Sequence, residues 1–251
     1  MLKHFKITLF TFSNAIFFDK GIARTVEIHQ PLIETYYGPG RLTHVLTMLQ
    51  NECDAQANRI FIEFKKKREI KDKVDEVRDA TYGTVSISNT SSMTGSYSSD
   101  ISNSAKLEAR DLHHILEEMA LLQARSEMYF KFIRKKAFTD IDLSKNNEES
   151  KEAEEKKKNL ERQLLTCGLS QSVQDIMSQY ILLEEFYMTQ NIRKAAEQHK
   201  DSLTDINDDK LLDDVFFIVR QCVTRAAGCG KLFDGMNFNC FTLTFSIFIF
   251  R

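Results

Sequence analysis

Tryptophan is absent from these 251 residues, and proline occurs only twice, at Pro31 and Pro39. Proline breaks helices more strongly than any other residue, so the chain beyond residue 39 is free to form long uninterrupted ones. Glycine, at nine residues, adds few further breaks. Charge of one sign is lacking as well. Lys+Arg (34) and Asp+Glu (36) leave a formal net charge of −2, which gives no electrostatic case for nucleic acid or an anionic membrane surface. The five cysteines, Cys53, Cys167, Cys222, Cys229 and Cys240, form no CxxC pair and show no Cys/His metal spacing. An odd count without framework spacing fits a reducing cytosol, and Cys53 and Cys222, in phase with apolar neighbours, read as small core residues.

What the chain does have is helical periodicity. Leu46, Leu49, Cys53, Ala57, Ile60 and Phe64 share one stripe, predicting a single amphipathic helix over 41–79. Its polar face carries Lys65, Lys66, Lys67 and Arg68, read as solvated because four consecutive residues point around most of a helix. Residues 81–104 are serine-rich and too polar to offset the entropy of ordering them, so they read as a disordered linker. A second helix spans about 105–137, with Ile115, Met119, Leu122, Ser126, Tyr129 and Ile133 in phase. The Glu/Lys-rich stretch 140–159 fits either a solvated helix extension or a flexible loop, and its lack of apolar periodicity makes the loop the expectation. A third helix runs over roughly 171–199 on Val173, Ile176, Tyr180, Leu183 and Tyr187. After a polar turn at Ser202–Asp209, a fourth starts near Asp213, whose acids suit a helix N-terminus. Val215, Ile218, Val219, Cys222, Val223 and Ala226 form its apolar stripe. The fold class expected is all-α: an elongated bundle of long antiparallel helices.

Chemical signals are weak. Tyr36-Tyr37-Gly38-Pro39-Gly40-Arg41 dictates a tight corner, since proline fixes φ and glycine accepts positive φ. It is either an exposed aromatic corner that binds a partner or a structural corner with its tyrosines packed beneath. The structural corner is the expectation. Gly228-Cys229-Gly230-Lys231 fails as a phosphate loop, having Arg225 where glycine is needed and Leu232 where Ser or Thr is needed. Adjacent His113 and His114 diverge by ~100° on a helix, so they read as solvated or capping residues rather than a metal pair. The carboxylate pairs Glu117-Glu118, Glu184-Glu185 and Asp213-Asp214 lack any accompanying cleft signature. Glu184, Glu185 and Arg125 are expected in buried or inter-helix ion pairs. No catalytic, cofactor-binding or metal-binding residue is assigned, and no cofactor is expected.

Four segments, Glu34–Leu42 (ETYYGPGRL), Ala124–Phe130 (ARSEMYF), Glu184–Met188 (EEFYM) and Asp213–Ala226 (DDVFFIVRQCVTRA), in this order and spacing resemble the middle helical region of subunit four of the conserved oligomeric Golgi complex. The resemblance runs from about Gly21 to Ala227. It implies the helical-rod fold of tethering complexes and a non-enzymatic role in intra-Golgi retrograde vesicle transport, which keeps glycosylation enzymes in place. The implied partners are sibling subunits of that complex, Golgi SNAREs and their regulators. The implied location is the cytoplasmic face of the Golgi membrane, held peripherally. It also implies that a complete subunit is several times longer. Residues 1–20 and 228–251 fall outside the resemblance and read as non-family tails, artefacts of gene prediction such as translated intron. The first superficially resembles a signal peptide without a cleavage site. In the second, Phe238–Phe250 alternates like a strand and is too short for a membrane helix, which needs roughly 20 residues. The competing reading is a stand-alone helical scaffold or adaptor, which sustained heptads would favour.

Overall fold

The computed structural model describes residues 21–229, apart from 39, 89–108, 145–149 and 201–206. Every element among the described residues is an α-helix. The first, α1, covers 21–37. It is followed by α2 (Leu42–Arg68), α3 (Ile70–Ser88), α4 (Ala109–Leu143), α5 (Ser150–Thr166), α6 (Gly168–Lys200) and α7 (Asn207–Gly228). No helix among them is long and apolar enough to cross a membrane. The tails 1–20 and 230–251, with the strand-like Phe238–Phe250, lie outside the described residues, as do most of the serine-rich segment and Cys240.

The chain divides into two compact units. Unit one comprises Met1–Phe64 with Leu121–Ile176. Its core joins Leu42, Leu46, Cys53 and Phe61 of α2 to Leu122, Tyr129 and Ile133 of α4 and Val173 and Ile176 of α6. Unit two comprises Lys65–Ala120 with Met177–Arg251. Its core joins Ile70, Val74 and Val77 of α3 to Ile115, Leu116 and Met119 of α4 and Tyr180 and Leu183 of α6. All six residues of the stripe predicted on α4 are buried, as are Cys53 and Cys222.

Several expectations give way. The single helix over 41–79 is two, because Glu69 sits at φ 51° between α2 and α3. In unit two the buried positions go from Arg68 to Ile70, then Val74 and Val77. A continuous helix would turn residue 70 about 200° from residue 68, so the left-handed residue resets the phase of the buried stripe. Arg68 itself is not on a solvated face; it is buried and paired with Glu118. Of the loop expected over 140–159, residues 140–143 and 150–159 are helical: α4 runs to Leu143, and α5 carries a narrow buried stripe of Ala153, Leu160 and Leu164. The helix α3 carries through 81–88, which were expected to be disordered. The fourth predicted helix begins at Asn207, so Asp213 and Asp214 lie inside it rather than at its start. Residues 21–37 are helical around exposed Pro31, whose missing N–H releases the carbonyl of exposed Glu27 to water.

Candidate functional site

In unit one the chain turns from α1 into α2 at the Gly-Pro-Gly corner. Gly38 (φ 80°) closes α1 by donating its N–H to the Glu34 carbonyl at 3.1 Å. Gly40 (φ 84°) opens the next element, and a Cβ there would meet Ser144 Cβ at 2.7 Å. This close approach brings in Asp140 of α4, which is 2% exposed. Its Oδ1 accepts the Gly40 N–H at 2.9 Å. Its Oδ2 accepts the Thr43 N–H and hydroxyl, each at 2.8 Å. One remote carboxylate thus accepts one of the unpaired N–H groups at the start of α2, together with that of Gly40 just ahead of it, and meets the helix's positive end.

The same device recurs at α6. Asp54 of α2 accepts N–H donors from Gly168 (2.9 Å) and Leu169 (3.0 Å), and it also accepts from the Gln50 amide at 2.8 Å. Gln50 in turn accepts the Tyr129 hydroxyl at 2.6 Å. Burial pushes the neighbouring thiols of Cys53 and Cys167 up to about 11, which removes them as nucleophiles.

The tyrosines of the corner do not pack beneath it. Tyr36 is 78% exposed and Tyr37 74% exposed, so of the two readings of this motif the structure selects the exposed aromatic corner. The stripe Ile28, Leu32 and Tyr36, at i, i+4 and i+8, continues the exposed apolar surface along α1.

Unit two centres on a buried ion pair. Glu184 of α6, 0% exposed, accepts Arg225 Nη2–H at 2.7 Å on Oε1 and Nε–H at 3.0 Å on Oε2. This is the two-pronged geometry that a planar guanidinium offers a carboxylate. The Arg225 guanidinium carbon lies 5.0 Å from the Tyr187 ring centroid. Burial opposes the charge of Arg225, and Glu184 more than offsets it, so its pKa stands above the ordinary guanidinium value. Burial also pushes Cys222 and Cys229 up to about 12.

His113 of α4 completes the cluster. Arg225 Nη1 lies 2.8 Å from His113 Nδ1, and a guanidinium can only donate, so Nδ1 accepts and the ring proton sits on Nε2. That nitrogen faces Glu117 Oε1 at 3.2 Å. Burial lowers the pKa of His113, with Arg225 and His114 adding to the effect and Glu117 opposing it. His113 is therefore half-buried and tied to the buried ion pair rather than freely solvated or capping, whereas His114 is exposed. The ion pair expected for Glu184 exists, but its partner is Arg225. Arg125 Nη1 lies 4.0 Å from Met128 Sδ, and Glu185 is exposed. Sequence reasoning passed over Arg225, although Cys222, Arg225 and Cys229 recur at helical spacing. Asp140 likewise sits in phase with buried Ile133 and Ala137.

These arrangements tie helices to one another within each unit. Comparison with known proteins gives the chain its relatives. The family model described as "COG4 transport protein, middle alpha-helical bundle" matches residues 9–233, a span wider at both ends than 21–227. A Bos taurus protein named conserved oligomeric Golgi complex subunit 4 is 35% identical over 216 residues, covering 85% of this chain and 25% of its own length. The Homo sapiens protein of that name is 33% identical over 216 residues, with the same coverage of each chain. The Arabidopsis thaliana protein is 24% identical over 229 residues, covering 85% of this chain and 26% of its own. This chain therefore spans about a quarter of the length of these relatives. No solved structure matches it.

Proposed function

Because this chain belongs to the family of the COG4 transport protein's middle alpha-helical bundle, we propose that it works as a non-catalytic part of a Golgi vesicle tether. In this reading it supports retrograde transport between Golgi compartments and, through that, the placement of glycosylation enzymes. Its partners are the other subunits of the conserved oligomeric Golgi complex, together with Golgi SNAREs and their regulators. It sits on the cytoplasmic face of the Golgi membrane as a peripheral protein. What carries the reading is the family match over most of the chain, supported by relatives named as subunit 4 in animals and a plant.

The role is mechanical. Long helices such as α4 (35 residues) and α6 (33 residues) span distance, and cross-helix caps and ion pairs stiffen each unit without any chemistry on a substrate. Docking needs exposed anchors, and aromatic side chains are the commonest of these. Tyr36 and Tyr37, held out by a corner that two positive-φ glycines and Asp140 lock, are the anchors we assign.

The test is to express the full tagged chain in cultured animal cells, crosslink, purify and read co-purifying proteins by mass spectrometry. Sibling subunits or Golgi SNAREs should be enriched. The Tyr36→Ser/Tyr37→Ser double variant should lose them severalfold while keeping its helical circular dichroism. A helical chain that recovers none of these proteins would show that this bundle is a spacer or serves elsewhere.

A further inference from the structure

The face of α7 that unit two leaves uncovered has the pattern of a helix–helix seam. Leu212, Phe216, Val219 and Val223 are spaced 4, 3 and 4 apart, and fall within about 60° of one another around the helix. That is the spacing of knobs in a two-helix pair. Leu212 is 55% exposed, Phe216 61% and Val223 43%, while Val219 is half-buried at the edge of the packed face. Charges border this seam on one side. Exposed Asp213 and Arg220, seven residues apart, lie along its outer flank. Half-buried Val215 and Ala226 lie along the inner flank, against the rest of unit two.

We propose that this face is a self-complementary interface, on which α7 of a second copy of this chain packs antiparallel. The one-sided placement of charge selects both the partner and the direction. In a parallel pair the Asp213/Arg220 flank would meet the inner flank of the other copy, which is apolar and already packed. In an antiparallel pair the two outer flanks meet. With the seam centred between residues 217 and 218, Asp213 lies about 3 Å along the axis from the partner's Arg220, within side-chain reach. The two-fold axis repeats the contact, giving two opposite-charge pairs beside a closed apolar seam. The seam is short, about 16 Å from residue 212 to 223. A patch this size falls below the standard interface area, so the pair should form weakly, with a Kd on the order of 10–100 µM.

The test is sedimentation velocity on the full chain across that concentration range. A monomer–dimer equilibrium is expected. Phe216→Glu, at an exposed position, should abolish it while leaving circular dichroism and thermal midpoint unchanged. Asp213→Arg and Arg220→Asp should each weaken it severalfold, and the double exchange should restore it. A chain that stays monomeric, a dimer insensitive to Phe216→Glu, association beyond the dimer, or a double exchange that fails to restore would each overturn the proposal.

Discussion

Asp140 in unit one and Glu184 in unit two are buried to comparable depth and are neutralised by opposite means, while half-buried Asp54 repeats the unit-one means at α6. In unit one, Asp140 and Asp54 lean on the N-terminal ends of α2 and α6, whose donors carry only partial charge. In unit two, Glu184 faces a full guanidinium. A cap replaces water around one ion with backbone N–H groups that needed partners in any case. An ion pair removes two charges from water, and each then depends on the other. The lesson is one of fragility. Loss of a cap leaves neutral donors that can rehydrate, whereas loss of one member of the pair strands a charge in an apolar core.

The sharpest way to break the symmetry is therefore in unit two. Arg225→Met should destabilise that unit by roughly 3–5 kcal/mol, because Glu184 is left without its counter-ion. The paired change Glu184→Leu/Arg225→Met should recover most of this loss. Hydrogen exchange resolved along the sequence checks both, with protection in α6 beyond residue 177 collapsing in the single variant and returning in the double. In unit one, Asp140→Ala should cost less, roughly 2–3 kcal/mol, as two N–H groups and a hydroxyl lose one shared acceptor. Urea unfolding measures the loss, and exchange should quicken first at the start of α2. Smaller again is Gly40→Ala, at about 1–2 kcal/mol for a left-handed residue given a Cβ. The contact with Ser144 adds to that figure. A Ser144→Gly background should return the steric part alone, and an equal loss in both backgrounds would show that backbone strain is the whole cost.

The contrast also explains what could be read in advance. Apolar stripes were legible because burial repeats every three or four residues along a helix. Ile115, Met119, Leu122, Ser126, Tyr129 and Ile133 are all buried as their spacing predicts. Breaks made by unremarkable residues were not legible. Nothing in Glu69 as a residue type announces a positive φ, and the reset shows only in the burial of Arg68 and Ile70 on either side. Helix α5 escaped because three buried residues, Ala153, Leu160 and Leu164, are too sparse to stand out among Glu and Lys. Helix α1 escaped because Pro31 argued against it. The polar clusters were the least legible. A charge is expected on the surface unless its partner is known, and Asp140 finds Gly40 across 100 positions while Arg225 finds Glu184 across 41. The corner tyrosines show the converse, with aromatic residues standing exposed where packing was expected.

The smallest predicted effect separates the units by acid rather than by mutation. In the unfolded chain His113 titrates near its ordinary value of 6.5. In the folded chain its pKa is lower, chiefly through burial, and protonating Nδ1 would set a ring N–H against the Arg225 guanidinium. Above about 6.5 both states are neutral here and His113 contributes no slope. Below it the unfolded chain binds a proton that the folded chain refuses, so stability falls as pH drops and levels off only beneath the folded pKa. Glu117 and Glu184 face the ring and limit the fall, while Arg225 and His114 steepen it. His113→Asn keeps a side-chain acceptor for Arg225 but does not titrate, so it should show a shallower decline in urea midpoint between about pH 7 and pH 5.5. Equal declines in the two proteins would mean that His113 titrates alike folded and unfolded. The Arg225 contact would then impose no protonation state on the ring.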